Sequence, residues 1–296
     1  MNVLLIIAGI LAMGMLVICI ISGIENRKLA VTHYQILSPK LPDCFQNCRL
    51  VVLADLHNAS FGRDNQRLIQ AIQEQKPDYI LIAGDMIVGK PEQSTEVPAH
   101  LIRELAKQYP VYYAKGNHES RAARYPDTYG TLWQDYQEQI RGCVTWLDNE
   151  HIELTRGNAS VFLYGLDLEM KYYKRFRHAS MAPGYLKEKL GWPPSEGFRI
   201  LLAHNPDYFP EYAEWGADLV LAGHLHGGMV RIPWLGGVIS PMFLFFPKYD
   251  RGRYERDEHV MLLSGGLGNH TFKFRVNNLP ELLVVELSNT EEKSKK

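Results

Sequence analysis

Apolar residues in this chain gather into short unbroken runs, each ending abruptly in small or polar residues. Leu50-Val51-Val52-Leu53-Ala54, Tyr79-Ile80-Leu81-Ile82-Ala83 and Val111-Tyr112-Tyr113-Ala114 have this form, and so do Arg199-Ile200-Leu201-Leu202-Ala203 and Asp218-Leu219-Val220-Leu221-Ala222. Runs of this length and density predict strands buried on both faces. Asn65 to Gln75 has helical spacing instead, with Leu68, Ile69 and Ile72 on one face, and a second helix is expected around Ala99 to Gln108. Strand, helix, strand, helix, strand implies parallel pairing with right-handed crossovers. Ser160 to Tyr164, Val260 to Ser264, Phe272 to Val276 and Leu282 to Leu287 complete the predicted strands.

The longest apolar run is different in kind. Val3 to Ile24 holds no charged residue, and as a helix its 22 residues reach roughly 33 Å, the thickness of a bilayer core. Only Met1-Asn2 precedes it, without the basic start of a cleaved signal, so a retained single-pass anchor in the cell membrane is expected. Arg27 and Lys28 follow the run and no charge precedes it, which by the positive-inside rule puts the body in the cytoplasm. The expected organisation is an anchor and flank over 1–30, one domain over 31–288 and a charged tail over 289–296.

Composition changes this picture little. Hydrophobic residues make up 46%, as a packed body requires. With 32 basic against 33 acidic residues there is no broad electrostatic grip for nucleic acid, and none is expected as a partner. Cys44 and Cys48 lack a second pair at metal-binding spacing and read as ordinary thiols.

The chemistry lies where the runs stop. They end at Asp55-Leu56-His57, Gly84-Asp85, Gly116-Asn117-His118-Glu119, His204, and Gly223-His224-Leu225-His226. Each has a bland reading alone. Asp55 or Asn117 could cap a helix, Gly84-Asp85 could be a turn, and His204 could be a hydrogen-bonded core histidine. Five such ends, all of ligand type and all at the carboxyl ends of strands where α/β sheets bind ligands, point instead to a metal site. Asp55, His57, Asp85, Asn117, His204, His224 and His226 offer seven nitrogen or oxygen ligands, with room for two ions.

The blocks D-x-H, G-D, G-N-H-[DE], H and G-H-x-H, present in that order between Asp55 and His226, resemble the calcineurin-like metallophosphoesterase family. Leu202-Ala203-His204-Asn205-Pro206-Asp207 and Gly223-His224-Leu225-His226-Gly227-Gly228 look closest to its membrane-anchored bacterial branch, as do Ser264-Gly265-Gly266-Leu267-Gly268 and Leu279-Pro280-Glu281-Leu282. The chain departs at Leu225, where threonine is common, and at Met229, where glutamine is common; neither is a ligand position.

The resemblance implies a four-layer α/β/β/α sandwich of two mixed sheets flanked by helices, behind an N-terminal transmembrane helix. It implies that Asp55, His57, Asp85 and His226 hold one ion and Asp85, Asn117, His204 and His224 the other, with Asp85 shared. A shared carboxylate can hold two cations about 3.5–4 Å apart and make hydroxide available near neutral pH. A His, Asp and Asn shell suits Mn, Fe or Zn. His118 would protonate the leaving oxygen. Glu119 would orient His118 or cap the next helix.

The expected activity is hydrolysis of a phosphodiester or pyrophosphate by a monomer. A lipid-linked substrate is suggested by similarity to UDP-2,3-diacylglucosamine pyrophosphatase-type enzymes. The alternatives are a broad phosphomonoesterase, a cyclic-nucleotide phosphodiesterase, and a catalytically silent scaffold; intact ligand blocks speak against the last. Two segments invite a role at the substrate. Met170 to His178 interleaves four Lys or Arg with aromatics and reads as a solvated surface helix or as a flank gripping a phosphate-rich headgroup. Pro241 to Tyr249 is densely apolar and reads as core packing or as contact with a bilayer.

Overall fold

The structure is a computed structural model and describes residues 3–174, 179–240, 243, 245–269 and 274–289. Helix α1 (Val3–Glu25) leads into strand β1 (Ala30–Leu37). There follow β2 (Cys48–Leu53), α2 (Gln66–Glu74), β3 (Tyr79–Ala83), α3 (Glu96–Ala106) and β4 (Val111–Ala114). Helices α4 (Asn117–Arg124), α5 (Pro126–Tyr129) and α6 (Leu132–Gln139) lie between β4 and the short β5 (Thr145–Trp146). The second half holds β6 (Glu150–Arg156), β7 (Ala159–Leu166), α7 (Tyr185–Leu190), β8 (Arg199–Ala203), α8 (Phe209–Trp215) and β9 (Leu219–Ala222). A hairpin of β10 (Val230–Ile232) and β11 (Gly236–Ile239) precedes β12 (Gly252–Arg256), β13 (His259–Leu263) and β14 (Glu281–Ser288).

Two six-stranded mixed sheets result, in the orders β1-β14-β2-β3-β4-β5 and β12-β13-β9-β8-β7-β6. The strands that end in candidate ligands are parallel to their neighbours among themselves: β2 with β3, β3 with β4, and β8 with β9. Period-two alternation explains the layers. Leu50, Val52 and Leu81 point inward and meet Ile200, Leu202 and Leu221 of the other sheet. Val51, Leu53, Ile80 and Ile82 point outward under Leu68 and Ile72 of α2 and the buried face of α3. Leu201, Ala203 and Val220 point outward on the other side, under α7 and α8. This is the α/β/β/α sandwich expected. Burying each such side chain contributes about 1.5–3 kcal/mol.

Two expectations need correction, and one is sharpened. Phe272 to Val276 is not a strand in its described part: Phe274 to Val276 makes only an isolated bridge, Val276 to Val230, because Arg275 spends its backbone N–H on Ser22 of α1 and its guanidinium on the Gly268 carbonyl. Helix α2 begins at Gln66, one residue later than expected, since Asp64 and Asn65 take left-handed backbone. Pro241, Met242 and Leu244 lie outside the described residues, but Phe245 and Phe246 are exposed rather than packed in the core. Cys44 and Cys48 are free, and burial, with Asp78 nearby, pushes the Cys48 thiol up to about 12.

Candidate metal centre

The eight singled-out residues Asp55, His57, Asp85, Asn117, His118, His204, His224 and His226 are all buried. They sit just beyond the carboxyl ends of β2, β3, β4, β8 and β9. The loops that carry them are laced backbone to backbone: Asp55 N donates to Gly84 O at 3.0 Å, His57 N to Asp85 O at 3.1 Å and Gly223 N to His204 O at 3.1 Å. Asp55, His57, Asp85, His224 and His226 all have positive φ, between 46° and 77°. A non-glycine residue in that region carries strain of about 1–3 kcal/mol, which persists only where surrounding contacts impose it, and often at functional sites.

Glycine is required where two of these loops cross. A Cβ on Gly84 would stand 2.5 Å from the Gly116 Cα, and a Cβ on Gly116 would overlap the Asp85 carboxylate. The Gly-Asp and Gly-Asn-His blocks therefore keep glycine so that Asp85 and Asn117 can share one small volume. Gly116→Ala is expected to displace Asp85 and lower metal content and turnover together, leaving far-ultraviolet circular dichroism unchanged; full metal occupancy in the variant would contradict this packing.

Hydrogen bonds decide which ring nitrogen each histidine offers. His57 Nδ1 lies 3.3 Å from Ile87 O, His204 Nδ1 2.6 Å from Ala83 O and His226 Nδ1 2.8 Å from Gly268 O. A carbonyl only accepts, so each Nδ1 carries hydrogen and each Nε2 can present a lone pair to a cation. His118 is wired the opposite way. Its Nδ1 accepts from Gly89 N at 2.8 Å, so its hydrogen sits on Nε2.

The ring nitrogens then converge on carboxylates. Asp55, His57 and His226 form one group whose ligand atoms all lie within 4.8 Å of one another, and Asp85, His204 and His224 form another. A third, His57, Asp85 and His118, passes the same distance test. Its His118 offers an N–H rather than a lone pair. Asp85 Oδ2 stands between the first two groups, 3.0 Å from His204 Nε2 and 3.7 Å from His57 Nε2.

These residues fit a cation. The Nε2 atoms of His57 and His226 face each other at 3.3 Å across stacked rings, so two lone pairs would repel without a positive charge between them. Asn117 Oδ1 is buried without a hydrogen-bond partner. Burial pushes Asp55 up to about 7, although His204 draws it down. Burial also opposes charge on Asp85, but the rings of His204, His118 and His57 hold it well below the usual carboxylate range. Burial likewise opposes charge on His204, yet Asp85 and Asp55 raise it to about 10. Metal ions held here would neutralise the same carboxylates.

Glu119 caps α4 by accepting from Gly116 N at 3.1 Å, as one of its two expected roles required. It also does something the motif alone did not reveal. Its buried carboxylate accepts from Asp85 N at 2.9 Å, Met86 N at 2.7 Å and Tyr113 Oη at 2.8 Å, clamping the strained loop that carries Asp85. Gly89 N holds the His118 ring by its Nδ1 at 2.8 Å. Glu119→Ala leaves several buried donors unpaired at about 1–3 kcal/mol each, so a loss of about 3–5 kcal/mol is expected in urea unfolding. A change of a few tenths would show that water replaces the clamp.

Met170 to Tyr173 is a single 3₁₀ turn, not the start of a surface helix, and Arg175 to His178 lie outside the described residues. Tyr172 is buried edge-on between Tyr185 and Tyr208, which is why the segment cannot float on the surface. Tyr173 packs its ring 5.2 Å from that of His224. Sequence reasoning missed Tyr173, and also Arg275, because neither stands in a ligand block.

Comparison with known proteins agrees with this geometry. The calcineurin-like phosphoesterase family model matches residues 48–228. The metallophosphoesterase YkuE of Bacillus subtilis is 26% identical over 280 residues, 90% of this chain and 88% of that protein. Phosphodiesterase YaeI of Escherichia coli is 27% identical over 246 residues, covering 81% of this chain and 82% of its own. A transmembrane protein with a metallophosphoesterase domain from Danio rerio is 27% identical over 267 residues, 87% of this chain but 57% of that protein. A buried cluster of Asp, Asn and His at strand ends, within a match of this extent, defines a metal-dependent phosphoric ester hydrolase. The chain belongs to the calcineurin-like phosphoesterase family.

Proposed function

We propose that this chain is a membrane-tethered phosphodiesterase or pyrophosphatase that works with two metal ions. The observation that carries the reading is the meeting of two ligand groups at the Asp85 carboxylate. Asp55, His57, His226 and Asp85 would hold one ion; Asp85, Asn117, His204 and His224 would hold the other. Manganese, iron or zinc suits this mixed nitrogen and oxygen shell. Bound there, the ions would supply Lewis-acid charge neutralisation at the phosphate and lower the pKa of water.

The remaining steps belong to the chain's own residues. Asp55 accepts from His224 N at 3.0 Å, tying the two ligand loops into one wall. His118 presents its Nε2 hydrogen toward the side of Asp85, 3.9 Å from Oδ2, where it can donate to a leaving oxygen. The 23-residue α1 exposes apolar side chains along nearly its whole length, as a helix in lipid does, with Ser22 the buried exception. An anchor of that kind supports a lipid-linked phosphodiester or pyrophosphate as substrate.

The test is a turnover panel on the full chain in detergent, with Mn²⁺, Zn²⁺ or Fe²⁺ added to apoprotein. Bis-p-nitrophenyl phosphate, p-nitrophenyl phosphate and a UDP-sugar lipid are compared. Diesters are expected to exceed the monoester by about tenfold or more in kcat/KM. Preference for the monoester would overturn the diesterase reading, and no hydrolysis with any metal would favour a silent scaffold.

A further inference from the structure

We infer that Phe245 and Phe246 form a membrane-docking surface, lying in the face of the same bilayer that α1 crosses and holding the candidate metal centre beside it. The inference rests on the anchor reading of α1. Its argument begins where the helix meets the body. Ser22 Oγ accepts from Arg275 N at 2.9 Å, and Glu25 Oε2 accepts from Asn278 N at 3.3 Å. Two contacts, three residues apart on each partner and in the same order, set the segment Arg275 to Asn278 running alongside the last turn of the helix in the same direction.

A ladder leads sideways from that segment. Val276 bridges Val230 in parallel, Val230 pairs with Ile239 across the hairpin, and Ile239 bridges Phe245. Partners across a ladder stand level, perpendicular to the strands, with about 4.8 Å per step. Phe245 is therefore level with Val276, beside the last turn of α1, and roughly 15 Å to the side of Val276 by three such steps. Ser22 lies three residues inside the end of the apolar span Leu5–Glu25, about 4.5 Å along a helix. That depth is the boundary between headgroups and acyl chains, where aromatic side chains settle.

The exposure fits the level. Phe245 is 70% exposed and Phe246 57% exposed. Lys248 follows them, exposed, with its amine 4.8 Å from the Tyr249 ring centroid, placed to reach lipid phosphates from the same edge. The opposite end of the same hairpin also exposes apolar residues, Trp234 most of all, but the ladder puts that turn on the side away from the bilayer.

The same segment supports the centre. The Arg275 guanidinium donates to Gly266 O and Gly268 O, each at 3.0 Å, and Gly268 O also takes the His226 Nδ1 hydrogen. Asn278 Nδ2 donates to His226 O at 2.7 Å and Gly228 O at 2.6 Å. One stretch of chain thus touches the end of the anchor on one side and a candidate metal ligand on the other. The substrate class that this placement serves is a phosphate ester presented at a lipid surface.

The experiment uses the full chain carrying Phe245→benzoylphenylalanine, or Trp234→benzoylphenylalanine, in vesicles of phosphatidylethanolamine and phosphatidylglycerol. Carbonate extraction reports the anchor, and mass spectrometry after irradiation reports lipid adducts. A carbonate-resistant chain with adducts at 245 several-fold above those at 234 is the expected result. A resistant chain with no adduct at 245, or with as many at 234, overturns the docking surface alone. Release by carbonate overturns the anchor and the docking together.

Discussion

Asp85→Asn is expected to lower turnover on the order of 10³-fold or more and to strip the centre of metal, while the fold survives. The reason is the position of one carboxylate. Asp85 Oδ2 is the atom shared between the His57 side and the His204 side of the centre, at 3.7 and 3.0 Å. Asparagine keeps the shape but removes the charge, so two cations would face each other with less negative charge between them. The backbone around Asp85 need not change. Its N–H still reaches Glu119, its carbonyl still accepts from His57 N, and an amide oxygen can still accept from His118 N as Oδ1 does at 2.8 Å. Metal analysis and turnover on the same preparation check this. An asparagine variant with full metal content and near-normal turnover would remove Asp85 from the centre.

His118→Ala is expected to cost about 10²–10⁴-fold in turnover with metal content unchanged. The separation of those two readouts is the point. His118 lies close enough to Asp85 and His57 to pass as a ligand, but Gly89 N–H occupies its Nδ1 and leaves a hydrogen on Nε2. A ring so wired donates a proton better than it binds an ion. The loss should shrink for a p-nitrophenyl leaving group, which departs without protonation, and grow for an alkyl one. Loss of metal in the alanine variant would make His118 a ligand, and equal losses with both leaving groups would remove it as the acid.

Much of this was legible because it is local. Asp55, Asp85, His204 and His224 announce themselves by standing one or two residues past an apolar run, and a run with that ending has few other uses. Their parallel strands and the two-sheet sandwich followed from the alternation of runs and from the resemblance. What failed depended on partners from elsewhere in the fold. Phe272 to Val276 has the composition of a strand, but Arg275 is drawn into the carbonyls of Gly265, Gly266 and Gly268, and no pattern around it signals a fully buried guanidinium. Tyr172 and Tyr173 sit in a basic, surface-like stretch, yet aromatic partners from α7 and the turn before α8 bury Tyr172. Glu119 was read within its own helix, while most of its hydrogen bonds go to a loop more than thirty residues earlier.

The amino-acid order by itself determined the family, the seven candidate ligands with His118 beside them, and a helix long enough to cross a bilayer. Those are properties of residue type, spacing and periodicity, and they need no partner from elsewhere in the chain. Only the tertiary structure decided which nitrogen each histidine turns to the centre, why Gly84 and Gly116 must lack side chains, and what Glu119 clamps. It alone put Ser22 against Arg275 and linked Val276 through Val230 and Ile239 to Phe245. Each of these depends on groups far apart in sequence meeting at hydrogen-bond distance, and the direction of a proton or the level of a side chain is set by that meeting.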